Sequence, residues 1–395
     1  MSGLGQFRGR IAALGGVIVL LLAGGITLVV THTSANATPV SAGAKSGHAS
    51  DVSKAKPKPP LRVVLVTPSR GTRSVNGTAP VRVQFSTALA TDSPMPTITP
   101  KTAGNWVADG KDAVKFVPTR GFGQFLHVRV QVPGGPAGVR GADGQLLAQT
   151  RTVRFETAGF STARLDELLA QLGYLPLTWA PSAGQTAPAV GDQNPAAQLT
   201  AAYSAPEGSF SWKSGYPAQL RTFWDGGSPS GMIVHGAVMA FESDHDLTMD
   251  GIPGRQVWKA LLTAAANDQA NTHGYTYARA SQHSPETLTV WHNGHVILHT
   301  AANTGIPAAP TTVGTAAVYL RYRFQIMRGT NPDGSKYADP VSWVSYFRAG
   351  EAVHYFPRAS YGFQQSLGCV ELPYAQAKAV WPFMTYGTLV TVTAQ

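Results

Sequence analysis

The chain of 395 residues contains one cysteine, Cys369, and a histidine fifteen positions before it, His354. The text around them reads Glu351-Ala352-Val353-His354-Tyr355-Phe356 and, further on, Ser366-Leu367-Gly368-Cys369-Val370-Glu371-Leu372. A thiol attacks as its thiolate, so it needs a base or an imidazolium partner. It also needs backbone N–H donors aimed at the oxyanion that forms. His354 closes a strand-like segment and Cys369 opens another, so pairing of the two strands would bring imidazole and thiol together. Gly368 lets the backbone approach a reacting carbonyl, and the N–H groups of Gly368 and Cys369 are candidate oxyanion donors. On residue chemistry alone, a lone Cys and a His at this spacing are more often unrelated than catalytic. The single cysteine excludes an internal disulfide, leaving a small buried hydrophobe or a free reactive thiol. The remaining histidines singled out (His273, His283, His292, His295, His299) lack metal-ligand spacing. They are expected at surfaces or turns, and neither a metal nor a cofactor is expected.

These residues need a scaffold, and the composition points to one that is mainly β and multidomain. Charged residues make up 13% of the chain against 43% hydrophobic, with 42 Gly and 28 Pro, which suits β modules joined by turns. The length suggests two or three domains. Short alternating runs from Leu61 (62–66, 81–85, 114–117, 126–132, 152–156) read as a β-sandwich over 61–158. A small helical domain is expected over 161–265. Thr162 can cap its first helix, Leu165, Leu168, Leu169 and Leu172 form the apolar stripe, and Gly173 can end it. The interval 180–206 is polar and Pro-rich. Later helices carry Val234, Ala237, Val238 and Phe241, then Val257, Trp258, Leu261 and Leu262. Asp244, Asp246 and Asp250 lack the distal glutamate of a calcium loop. Strands return over 286–395: Leu288–His292 and His295–Thr300 around an Asn293-Gly294 turn, then 318–326, 343–347, 351–356 and 388–393. Pro373 is placed to open a helix running to about Trp381.

The formal charge of +10 is concentrated at one end. Residues 1–62 hold seven basic groups and a single acid, Asp51, so six of the ten excess charges lie there. A basic arm of this kind suits anionic lipid or wall polymer, and no nucleic-acid partner is expected. Arg8 and Arg10 precede an apolar run over 11–30 of bilayer-spanning length. Residues 1–30 therefore read as a cytoplasmic end with a transmembrane anchor, or as a signal peptide cleaved near Ala35-Asn36-Ala37. Residues 31–60, ending in Lys56-Pro57-Lys58-Pro59-Pro60, read as a linker. The expected location is extracytoplasmic, anchored or secreted.

The His354 to Ser366-Leu367-Gly368-Cys369 segment resembles the signature of the L,D-transpeptidase catalytic domain, a His followed after a spacer by Ser/Thr-x-Gly-Cys. Asn303-Thr304-Gly305 and Pro310-Thr311-Thr312-Val313-Gly314 resemble that family's upstream stretch, and the resemblance covers about 286–395. The segment Phe241, Asp250-Gly251-Ile252-Pro253-Gly254 and Trp258 to Leu261 is similar to the helical peptidoglycan-binding domain. An immunoglobulin-like sandwich and a wall-binding domain are frequent upstream companions of the family.

The resemblance implies that Cys369 attacks the carbonyl of the third residue of a donor tetrapeptide stem, usually meso-diaminopimelate. Terminal D-alanine leaves, and the side-chain amine of a second stem resolves the thioester into a 3–3 cross-link. His354 is then base and acid, the Tyr355 backbone carbonyl orients it, and the Gly368 backbone serves the oxyanion. Tyr337, in a segment expected to form a lid, is a candidate pocket wall together with Ser366 and Leu367, whereas Trp343 reads as packing. Stem peptides are the expected partners, with wall glycan on the helical domain and membrane at the N-terminal segment. The sequence departs from the pattern at Leu367, where many members have a second His, and at Tyr355, where a small residue is usual. Two alternatives stand beside cross-linking: an L,D-carboxypeptidase, in which water replaces the amine, and a non-catalytic wall-binding scaffold.

Overall fold

The computed structural model describes residues 58–394 apart from 187, 189, 227, 229 and 230. The apolar run at 11–30, the cleavage motif and most of the linker lie outside the described residues. Among the described residues no helix is long and apolar enough to cross a membrane.

The alternating runs after Leu61 form seven strands. They are β1 (Val63–Thr67), β2 (Val81–Phe85), β3 (Thr97–Thr99), β4 (Gly104–Ala108), β5 (Ala113–Pro118), β6 (His127–Val132) and β7 (Arg151–Glu156). Two sheets result, in the orders β1-β2-β5-β4 and β3-β6-β7. The period-2 pattern turns Val81, Val83 and Phe85 of β2 and Val128, Val130 and Val132 of β6 into one apolar cluster. Phe122 sits in that cluster edge-on to Phe155, with ring centroids 5.9 Å apart.

The middle of the chain is helical. Helix α1 (Thr162–Gln171) is capped by Ser161, whose side chain accepts from the Arg164 N–H, so Thr162 is the first helical residue and not the cap. Gly173 ends the turn with φ +83°. Next come β8 (Leu177–Pro181), α2 (Pro195–Tyr203), β9 (Gly208–Trp212), α3 (Ala218–Arg221), α4 (Met232–Asp244) and α5 (Arg255–Ala266). The polar 180–206 interval thus contains a helix, opened by Asn194, whose side chain accepts from the Ala196 and Ala197 N–H groups. Strands β8 and β9 pair antiparallel on either side of it. The helical core joins Leu168, Val234, Phe241 and Trp258 to Tyr277, Trp291 and Leu389 from the sheet that follows. Tyr203 Oη donates to the Phe122 carbonyl at 2.9 Å, so α2 also touches the N-terminal sheets.

The C-terminal region contains β10 (Thr276–Ser281), β11 (Thr287–His292), β12 (His295–Ala301), β13 (Gly314–Ala317), β14 (Leu320–Thr330), β15 (Lys336–Arg348), β16 (Glu351–Tyr355), β17 (Val370–Leu372), α6 (Tyr374–Val380) and β18 (Leu389–Thr393). One sheet runs β12-β11-β10-β18-β13 and the other β14-β15-β16-β17. Strand β10 lies at the centre of the first sheet, upstream of the boundary expected at 286. Asn293 (φ +48°) and Gly294 (φ +82°) make the β11–β12 turn, the left-handed pair that an Asn-Gly hairpin needs. Between the sheets lie Ala278, Leu288, Val290, Val353, Val370, Leu372 and Val390, closed off by Ala377 and Val380 of α6. Strands β14 and β15 pair from Leu320↔Tyr346 out to Thr330↔Lys336, so they form a long hairpin around Asp333-Gly334.

Phe122→Ala removes a ring that is 1% exposed and should destabilise the N-terminal sheets by about 3–5 kcal/mol. Val64→Ala, at a side chain 61% exposed, should change stability by about 0.5 kcal/mol or less. Urea midpoints followed by near-ultraviolet circular dichroism test this. Equal midpoints for the two variants would contradict the shared core.

Candidate active site

The site is built by one pair of strands. β16 and β17 run parallel with Val353 opposite Val370, His354 opposite Glu371 and Tyr355 opposite Leu372. Residues opposite one another in a ladder point to the same face, and residues two apart on a strand share a face. Cys369 stands immediately before β17 and two residues before Glu371, so His354, Glu371 and Cys369 face one way. All three line a cleft of about 510 Å³, together with Tyr337, Leu367 and Arg358.

His354 is 3% exposed. Its Nδ1 lies 3.0 Å from the Tyr355 carbonyl oxygen. A carbonyl only accepts, so Nδ1 carries the proton and Nε2 keeps a lone pair. Burial holds the imidazole below its ordinary pKa; the Tyr355 carbonyl and the Glu371 and Asp339 carboxylates oppose that, while Arg358 adds to it. Burial also pushes the Cys369 thiol up to about 12, against a backbone hydrogen bond from Ala352 and with the help of Glu371 and Glu351. The S–H makes a long contact of 3.8 Å with the Gly350 carbonyl. At rest the cleft therefore holds a neutral thiol and a neutral imidazole, which differs from a preformed ion pair.

Tyr337 and Leu367 are on the cleft wall. The Tyr337 ring lies against Gly329, its partner across the hairpin, where a Cβ would overlap it. Leu367 is 36% exposed at the rim. Ser366 is not a wall residue: it is buried, and its Oγ donates to the Cys369 carbonyl at 2.6 Å. The same Oγ accepts the Gly368 N–H at 3.2 Å. The Gly368 amide, expected to serve the oxyanion, is thus bonded within the loop, and Ser366, expected against the substrate, holds that loop together. What Gly368 supplies is its φ of +107°, a conformation open to glycine at little cost. Trp343 packs on Trp381 and Tyr374, 5.7 and 6.2 Å between centroids, away from the cleft.

Several residues that support the site were given no place in it by the sequence reading, although Asn303 and Thr304 fall in the upstream stretch. Arg358 donates through Nε and a terminal nitrogen to both oxygens of Glu371, at 2.8 and 2.7 Å, and to the Gln365 carbonyl at 2.8 Å. Asn303 donates to Glu371 at 3.2 Å and accepts the Gly362 N–H at 3.0 Å. The Thr304 hydroxyl donates to buried Glu286 at 2.8 Å, and the Ser366 N–H reaches the Thr304 carbonyl at 3.0 Å. Glu371 was findable, because its place two residues after Cys369 puts it on the same strand face. Among the described residues no cluster of three His, Cys, Asp or Glu side chains is placed to hold a metal ion.

A buried neutral thiol has a testable signature. The rate at which iodoacetamide alkylates Cys369 should still be rising above pH 9, past the midpoint of about 8.5 of a free thiol. A midpoint below pH 7 would show a thiolate at rest and contradict the neutral pair.

Residues 276–392 match the family described as the L,D-transpeptidase catalytic domain. No curated protein matches the sequence. Among solved structures, an L,D-transpeptidase from Mycobacterium smegmatis is 13% identical, covering 85% of this chain and 100% of that one, with a TM-score of 0.29. L,D-transpeptidase 3 from Mycobacterium tuberculosis is 16% identical over 84% of this chain and 98% of its own, with a TM-score of 0.28. The catalytic domain of the E. faecium L,D-transpeptidase is 26% identical over 30% of this chain and 96% of its own, also with a TM-score of 0.28. The chain carries, at residues 276–392, an L,D-transpeptidase catalytic domain.

Proposed function

We propose that this protein forms 3–3 peptidoglycan cross-links through a thioester on Cys369. The observation that carries the reading is the pairing of β16 with β17, which sets a His354 of fixed tautomer in one cleft with the thiol. As the donor carbonyl arrives, the thiol proton passes to His354 Nε2 while Sγ bonds to carbon. The imidazolium is steadied by the Tyr355 carbonyl on Nδ1 and protonates the departing D-alanine amine. An amine of a second stem then attacks the thioester, and His354 acts again as base. Because both groups are neutral before substrate binds, the charge separation is confined to the moment of attack. Tyr337 and Leu367 bound the donor. The protein would act outside the cytoplasm, with residues 11–30 in or across the membrane and the 161–265 region against wall glycan.

The test has two parts. Incubated with a carbapenem, the wild type should gain the mass of one drug molecule, whereas Cys369→Ser should gain none. Given disaccharide tetrapeptides, the wild type should release D-alanine and yield 3–3 dimers, and Cys369→Ser should yield neither, since its hydroxyl stays protonated. D-alanine release with tripeptide as the sole product would establish the hydrolase in place of the transferase. An unmodified wild type in both assays would contradict the enzyme reading.

A further inference from the structure

The second half of the proposed reaction needs an amine brought to the thioester, and a primary amine arrives as an ammonium, with an ordinary pKa of about 10.4. The cleft has charged side chains that could meet it. Arg328, Arg358, Asp339 and Glu371 line it besides His354. Glu371 is committed: Arg358 spans both of its oxygens and Asn303 adds a further donor. The Asp339 carboxylate makes no hydrogen bond or salt bridge among the described residues, although the residue is half-buried. It stands on β15 opposite Met327, three residues before Ser342, the partner of Tyr355. The hairpin thus carries it past the end of β16, where its charge acts on His354, on Arg358 and on Tyr337. Tyr337 and Cys369 line the same cleft.

We infer that Asp339 receives the side-chain ammonium of the acceptor stem and delivers it to the thioester beside His354. The inference rests on the transpeptidase reading and assigns its acceptor subsite. An unpaired carboxylate repels the carboxylates of a stem peptide and attracts its one cationic group. The incoming amine must end next to His354, because that imidazole takes its proton, and Asp339 lines the same cleft from the neighbouring strand β15. In the step, the bound ammonium loses one proton to solvent. Its nitrogen attacks the thioester carbonyl, the new C–N bond forms and the C–Sγ bond breaks. The second amine proton passes through His354 Nε2 to the sulfur, leaving an amide and the neutral thiol.

The experiment compares full-length wild type, Asp339→Asn and Asp339→Glu in three readouts: carbapenem acylation rate, D-alanine release from a disaccharide tetrapeptide, and the ratio of dimer to hydrolysed tripeptide as acceptor concentration rises. Asp339→Asn should acylate within about threefold of wild type in the first two. Its dimer-to-tripeptide ratio should fall by about tenfold or more through a raised KM for acceptor, the scale of one lost charge-assisted contact, and Asp339→Glu should restore much of it. An unchanged ratio in Asp339→Asn would overturn the assignment. So would a parallel loss of D-alanine release, which would place Asp339 on the donor side, or a loss of carbapenem acylation, which would make its role structural. A wild type that neither acylates nor releases D-alanine would instead remove the transpeptidase reading itself.

Discussion

The parallel pairing of β16 with β17 is the constraint on which the site depends. A parallel neighbour cannot be reached by a tight turn, so the chain must leave β16, loop through 356–369 and return on the same heading. The return strand is short, and the sulfur sits on the residue just before it. A slip of one position would turn Cys369 to the opposite face from His354. The apolar residues fix the register: Val353, Val370 and Leu372 all bury into the layer between the two sheets. The geometry of the candidate site is thus a by-product of which side chains the core accepts.

The loop between the two strands is held by polar groups. Arg358 ties its own backbone segment to Glu371 and to the Gln365 carbonyl. Asn303 ties the upstream strand end to the same carboxylate. Ser366 closes the turn over Gly368 and Cys369. Buried ionic and hydrogen-bonded groups of this kind add less to net stability than to a unique geometry, while removing one partner leaves an uncompensated charge. The same low-dielectric surroundings raise the thiol and lower the imidazole. The fold therefore stores the pair uncharged, so the proposed reaction must itself separate charge.

Much of this was legible in the sequence. The strand pattern of 61–158, the leucine stripe of α1, the Asn293-Gly294 turn and the Cys369–His354 pair follow from periodicity, turn chemistry and motif. The misses have physical causes. Helix α2 hides in a polar stretch because its signal is an Asn-Pro start and not an apolar stripe. Strand β15 begins at Lys336, well before Trp343, because Lys336, Asp339 and Pro340 interrupt the alternation while the long partner β14 still supplies the ladder. The bonds that tie Ser366 to Gly368 and to the Cys369 carbonyl depend on the folded loop and have no signature in the motif. Arg358 and Asp339 come from separate segments, and only the tertiary fold brings them to one cleft and sets Asn303 against Glu371.

The central claim is that His354, with Nδ1 locked by the Tyr355 carbonyl, is the base for a neutral Cys369. The most direct measurement is the rate of carbapenem acylation against pH for wild type, His354→Ala and His292→Ala. For wild type the rate should be level near neutral pH and fall only below the ordinary imidazole value of 6.5, because burial lowers the pKa of His354 and keeps Nε2 unprotonated down to that range. His354→Ala should be slower by a factor on the order of 10² or more at neutral pH and recover in part as pH rises. His292, which bonds Thr276 and stacks on Phe383 outside the cleft, should be replaceable by Ala with little change. Acylation of His354→Ala at the wild-type rate, or a larger loss in His292→Ala, would contradict the account.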